Sequence, residues 1–217
     1  MTDFAARRRM MVDTQVRPSD VTKYPIIDAL LTVRREVFVP DALREIAYAG
    51  ENIALEADRV LLEPRTLAKM LDALDIQPTE LVLDIGPALG YSAAVIGRLA
   101  EAVVAVEEDE TWAGEAESLL AAEGADNVAV VAAPLAVGAP KHGPYDVITV
   151  QGGIEVLPAA IEDQLKEGGR IAALFTDDQL GTVKLGIKRN GRISWRFAFN
   201  ASAPVLPGYT RTASFAL

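Results

Sequence analysis

Five short runs of mostly aliphatic residues constrain this chain more than any other feature: Leu81 to Ile85 (LVLDI), Val103 to Val106 (VVAV), Val128 to Val131 (VAVV), Val147 to Val150 (VITV) and Ile171 to Phe175 (IAALF). Runs of this length without polar alternation are the form taken by strands buried on both faces, as in a parallel sheet. Helix-like segments, Tyr91 to Ala100, Glu110 to Glu123 and Pro158 to Glu167, separate them. Strand and helix in alternation predict a doubly wound α/β domain. Further on, Val183, Leu185 and Ile187 alternate with other residues, Asn190-Gly191 supplies a two-residue turn, and Ile193, Trp195, Phe197 and Phe199 alternate again. That pattern predicts a C-terminal antiparallel hairpin, which a plain dinucleotide-binding sheet lacks.

Upstream, the pattern from Thr2 to Pro40 is helical, with Ile26, Ile27, Leu30 and Leu31 on one apolar stripe and Phe38-Val39-Pro40 as its end. Asp41 to Glu63 reads as irregular. Pro64 then stands where a helix tolerates proline, at its first turn, and Leu67, Met70, Leu71 and Leu74 repeat with helical period. The expected organisation is an N-terminal helical region with a loop over 1–63, followed by an α/β domain over 64–217. A chain of 217 residues suits one domain with an appendage.

Composition narrows the chemistry. Lys plus Arg number 21 against 31 Asp plus Glu, a net charge of -10 that repels a phosphate backbone, so no nucleic-acid partner is expected. Cysteine is absent and His142 is the single histidine, which excludes disulfides, thiolate nucleophiles and Cys- or His-rich metal sites. No segment offers the ~20 apolar residues of a membrane span and the start lacks a signal-peptide core, so a cytoplasmic protein with no membrane partner is expected. The Arg7-Arg8-Arg9 triplet reads as the solvated face of an N-terminal helix.

In open α/β sheets ligands bind outside the carboxyl ends of the strands, so the first strand-to-helix turn is the place to look. It reads Asp84-Ile85-Gly86-Pro87-Ala88-Leu89-Gly90-Tyr91. Gly86 and Gly90 allow a tight turn and close ligand approach, and the following helix presents free N–H groups. An NAD frame would need glycines at Ala88 and Tyr91, so a dehydrogenase is disfavoured. The second strand ends in Glu107-Glu108, where a carboxylate can accept both hydroxyls of a ribose. The plainer alternative is a generic loop with a solvated acidic pair.

Asp84-Ile85-Gly86, Gly90-Tyr91-Ser92-Ala93-Ala94, Tyr145 to Val150 and Asp163 to Arg170, together with Val33 to Pro40 and Ala47-Tyr48, resemble the protein-L-isoaspartate O-methyltransferase family over nearly the whole chain. The resemblance implies a class I methyltransferase fold and S-adenosylmethionine as cofactor. It implies transfer of a methyl group to the free carboxylate of an isoaspartyl residue in a protein or peptide. Gly86, Ala88 and Gly90 would line the methionine end of the cofactor, Glu107 would bind its ribose, and Asp84 would bond to the cofactor's ammonium group or hold the loop. No catalytic residue is assigned, because a carboxylate already attacks a sulfonium methyl once aligned and shielded from water.

Three stretches depart from the family pattern. Val60 and Leu62 take the positions of a threonine and a serine in the substrate-side loop before Pro64. Ala88 replaces the middle glycine of the cofactor loop. Ala133, Pro134 and Leu135 stand where the family has Gly-Asp-Gly beside the adenine. Weaker cofactor binding is the expectation, and a degenerate member that acts as a binding or scaffold protein, or methylates another substrate, remains the alternative. Oligomeric state is left open.

Overall fold

The N-terminal forty residues break into pieces. In the computed structural model, which describes residues 3–56, 59–177 and 180–211, α1 (Phe4–Met11) runs through a π-helical turn at Val12–Val16 into a 3-10 turn at Arg17–Ser19, and α2 (Tyr24–Thr32) follows. The break has a local cause. Pro18 has no N–H to donate, and Asp20 adopts a left-handed conformation at φ 65° that cannot continue a right-handed helix. Ile26, Ile27 and Leu30 of α2 are buried, as the stripe requires.

The triplet of arginines departs from a purely solvated face. Arg8 is largely shielded, its Nε donating to the Tyr48 hydroxyl at 2.8 Å and its Nη2 to Glu36 at 3.1 Å, while Tyr48 donates to Glu36. Arg7 pairs with Glu45 at 3.1 Å. Only Arg9 stays exposed. A helix with two basic side chains tied to the chain some forty residues later is docked, which periodicity alone cannot show.

The stretch expected to be irregular contains a 3-10 segment, Asp41–Ile46, and a small antiparallel pair, β1 (Ile53–Ala54) with β2 (Val60–Leu61). Then α3 (Pro64–Leu74) begins at its proline and buries Leu67, Met70, Leu71 and Leu74. The α/β alternation follows: β3 (Leu81–Ile85), α4 (Tyr91–Gly97), β4 (Ala102–Glu107), α5 (Glu110–Ala122), β5 (Val128–Ala132), β6 (Tyr145–Ile154), α6 (Ala159–Gln164) and β7 (Leu165–Asp177). The hairpin is β8 (Leu180–Arg189) and β9 (Arg192–Asn200), joined at Asn190 (φ 53°) and Gly191 (φ 72°), the two left-handed residues of a type I′ turn.

The seven strands lie in the order β5-β4-β3-β6-β7-β8-β9, parallel up to β7 and antiparallel through the hairpin. Successive residues of a strand feed opposite faces. Val82, Val103, Val147 and Ala172 enter a core shared with α1 to α5, while their neighbours Leu83, Val104, Ile148 and Ala173 enter one with Ile161, Leu206 and Tyr209. This is why those runs are mostly apolar, and why their two polar residues, Asp84 and Thr149, are buried and both accept from Gln151. β5 departs from the expected double burial: its residues are exposed or half-exposed, because it is the edge strand beyond β4. The helix expected from Pro158 to Glu167 stops at Gln164, since Leu165 is already extended (ψ 131°) and starts β7.

The chain leaves β3 for β4 and β5 on one side and returns to β6 on the other. Such a reversal opens a crevice at the carboxyl ends of β3 and β6, with the end of β4 beside it.

Candidate functional site

The turn after β3 sets the geometry. Gly86 (φ 73°), Ala88 (φ 52°) and Gly90 (φ 100°) all adopt positive φ, and Gly90 N–H closes on the Pro87 carbonyl at 3.0 Å. Two of these positions are free of strain as glycines. Ala88 is not, because its Cβ crowds the following carbonyl in the left-handed region. A hydrogen bond from its N–H to Glu107 Oε2, at 2.9 Å, holds it there.

Asp84 lies one step back, fully buried at the end of β3. It accepts from the Ser92 hydroxyl at 2.6 Å and from Gln151 Nε2 at 2.7 Å, so it ties the first turn of α4 to β6. Burial pushes its carboxyl up to about 7, against those two hydrogen bonds, which favour the charged form, and with a push from the Glu107 charge.

Glu107, at the end of β4, is also fully buried. Its Oε1 accepts from Arg59 Nη1 at 2.9 Å and from the Glu108 and Asp109 amides at 3.0 and 3.3 Å. Its Oε2 accepts from Arg59 Nη2 at 2.8 Å as well as from Ala88. Arg59 Nη2 further donates to the Gly86 carbonyl at 2.9 Å, and the guanidinium carbon sits 5.5 Å from the Trp112 ring centroid. Composition and spacing did not single out Arg59, which ends the β1–β2 connection 48 residues before its partner. A basic residue next to the apolar run Val60-Leu61-Leu62 was the only hint.

A second basic residue missed by sequence reading sets the loop before α3. Arg35 is fully buried, donates from Nε to the Ala47 carbonyl at 2.6 Å and from Nη2 to the Leu62 carbonyl at 2.8 Å, and lies 4.8 Å over the Tyr91 ring. Burial lowers its pKa. The Leu62 side chain is buried in the helical core and Val60 is half-buried in β2. At Val60 and Leu62 the loop therefore offers only hydrocarbon and backbone, and Asp58 lies outside the described residues.

The stretch after β5 is closed too. Ala133 N–H bonds the Glu107 carbonyl at 3.1 Å, Leu135 is fully buried, and its carbonyl accepts from the Tyr209 hydroxyl at 3.1 Å. The segment after β9 folds back across the crevice: Gly153 N–H donates to Pro204 at 2.7 Å and Leu206 N–H to Gly153 at 2.9 Å. Leu206 lies over the glycine turn, its Cδ1 3.4 Å from where a Cβ on Gly86 would sit. Gly152 makes that approach possible, since a Cβ there would meet the Leu206 side chain at 2.6 Å.

Sequence and structure thus bring Asp84, Gly86, Ala88, Gly90 and Glu107 together around one turn, with Val60 and Leu62 on the segment that carries Arg59. The acid and the turn fit a ribose and an amino-acid moiety in kind and in place. The two acceptor positions that a ribose diol needs are held by the Arg59 guanidinium. What remains open at the rim, between Glu56, Arg59, Glu108, Asp109, Trp112 and Pro207, is a cleft of about 260 Å³. Small-molecule sites usually begin at ~300 Å³.

The sequence profile of the protein-L-isoaspartate(D-aspartate) O-methyltransferase family matches residues 6–197. A protein-L-isoaspartate O-methyltransferase of Koribacter versatilis is 32% identical over 89% of this chain and 87% of its own length. One from Roseiflexus castenholzii is 34% identical over 87% and 86%. Among solved structures, a protein-L-isoaspartate O-methyltransferase superposes with TM-score 0.80 at 24% identity, over 93% of this chain and 66% of that one. A Plasmodium falciparum beta-aspartate methyltransferase in complex with S-adenosyl-L-homocysteine superposes with TM-score 0.76 at 15% identity, over 95% and 99%. These two likenesses identify the fold as that of the class I methyltransferases.

Proposed function

Because the chain belongs to the protein-L-isoaspartate(D-aspartate) O-methyltransferase family, we propose that the turn after β3 and the acid ending β4 form its cofactor site, with Glu107 accepting the ribose hydroxyls. The activity is methyl transfer to an isoaspartyl carboxylate of a protein substrate, and S-adenosylmethionine is the cofactor. Nothing observed favours a degenerate scaffold over this activity. The observation that supports the site assignment is the hydrogen bond from the Ala88 amide to Glu107, a buried carboxylate set against the turn at the topological switch point.

When bound, the cofactor supplies an electrophilic methyl group. The chain's own residues do the rest by position. Asp84 fixes the turn by clamping Ser92 and Gln151 and so holds the backbone of Gly86 and Gly90 at a constant distance from Glu107. Of the two roles the resemblance implies for it, these hydrogen bonds support holding the loop. Arg35 pins the Leu62 carbonyl, which sets the height of the substrate-side loop over α4. Val60 and the neighbouring apolar residues exclude water from the attacking carboxylate, which strips its hydration shell and strengthens every local interaction. Orientation then depends on backbone donors of that loop, since Val60 and Leu62 offer none and the Arg59 guanidinium is engaged with Glu107 and Gly86.

We place residues 1–63 as the substrate-side region and 64–217 as the cofactor-binding domain. Net charge -10 disfavours a nucleic-acid partner, and among the described residues no helix is long and apolar enough to cross a membrane. Incubation with radiolabelled S-adenosylmethionine and an isoaspartyl peptide, against the aspartyl peptide of the same sequence, tests the reading. Label on the isoaspartyl peptide alone is expected. Equal labelling of both, or of neither, overturns it.

A further inference from the structure

We propose that Arg59 is an intramolecular competitor for the ribose-binding acid, so that cofactor affinity in this chain is set by how readily a guanidinium leaves Glu107. The inference rests on Glu107 being that acid. Three observations carry it. First, the pair is bidentate and buried, with side chains 5% and 0% exposed, and Arg59 also reaches the Gly86 carbonyl on the turn itself. It thus contacts both the end that would hold ribose and the end that would hold the methionine moiety. Second, Glu107 already accepts five hydrogen bonds, about the capacity of a carboxylate. Hydroxyl donors can be added only by exchange. Three of those donors are backbone amides fixed by the fold, which leaves the two from Arg59 as the exchangeable ones. Third, Arg59 Nε is buried with no hydrogen-bond partner among the described residues. The closed state therefore leaves a donor of the guanidinium unsatisfied, a deficit that withdrawal into solvent relieves.

A ligand that binds only after Arg59 withdraws sees an apparent affinity reduced by the fraction of molecules in the open state. The test is isothermal titration of the full chain and its Arg59→Ala variant with S-adenosylhomocysteine. The variant is expected to bind ~10- to 100-fold more tightly, the factor by which a closed state of comparable bias suppresses binding. Arg59→Lys keeps the charge but loses the two-pronged fork, so it is expected to fall between the two. It also carries the test if the alanine variant fails to fold. A readout on the unmodified site is independent of both. In a Trp195→Phe background, Trp112 is the remaining tryptophan and stacks on Arg59, so its emission should shift as S-adenosylhomocysteine is added. Equal affinity for the parent and both variants overturns the competitor while leaving the cofactor site intact. Absence of binding by all three overturns the cofactor site and the competitor with it.

Discussion

Replacing Asp84 by asparagine removes a buried charge while keeping the shape of the side chain. Asparagine can still accept from Gln151 through its oxygen and donate to the Ser92 hydroxyl, so packing and bonding are largely conserved. The carboxyl stands at about 7 in the folded chain, against an ordinary 3.8. Between those values the folded protein holds a proton that the unfolded chain has released, so stability falls as pH rises from ~4 to ~7 and is flat above that. At 1.36 kcal/mol per unit, about three units amount to about 4 kcal/mol of penalty at pH 8, with burial as its main cause. The asparagine variant does not carry that penalty. Urea unfolding of both proteins at pH 5, 6, 7 and 8 should show the variant gaining on the parent by about 3 kcal/mol across the series, with unchanged m. Other titrating groups are common to both and cancel in the difference. A difference that stays constant from pH 5 to 8 would refute the reasoning, because it would mean that the bonds from Ser92 and Gln151 fully offset burial.

Two further outcomes follow from the backbone. Ala88→Gly relieves a left-handed alanine worth about 1–2 kcal/mol but adds about 0.5–1 kcal/mol of chain entropy to be lost, so a net gain of roughly 0.5–1 kcal/mol is expected in the same urea assay; a loss would show that the alanine methyl packs usefully in the turn. Gly152→Ala puts a methyl 2.6 Å from Leu206, and because Leu206 belongs to the returning segment, a destabilisation of about 1–3 kcal/mol should come with faster proteolysis between residues 201 and 211; unchanged cleavage would show that Leu206 finds another rotamer.

The alternation of apolar runs and helical stretches was enough by itself to specify a parallel sheet, its order of elements and the hairpin at Asn190-Gly191, because each depends on periodicity or turn chemistry local to a few residues. The same locality made the turn from Asp84 to Tyr91 and the acid Glu107 legible as a candidate ligand site, and the strain at Ala88 follows from its being the one residue with a Cβ among three positive-φ positions. Motifs spread over the whole length were also sufficient for the family. Tertiary structure alone decided which strand is the edge, and so why the residues of β5 are half-exposed despite an apolar sequence. It decided that Arg8 docks on Glu36 and Tyr48, and that Arg35 is buried among carbonyls. Above all it decided what lies in the crevice: Arg59 meets Glu107 across 48 residues of chain, and Leu206 reaches the turn from still farther along. Periodicity reports which face of an element is buried but not which distant side chain covers it, and the burial of a charge depends on its partner's position in space, which no local pattern encodes.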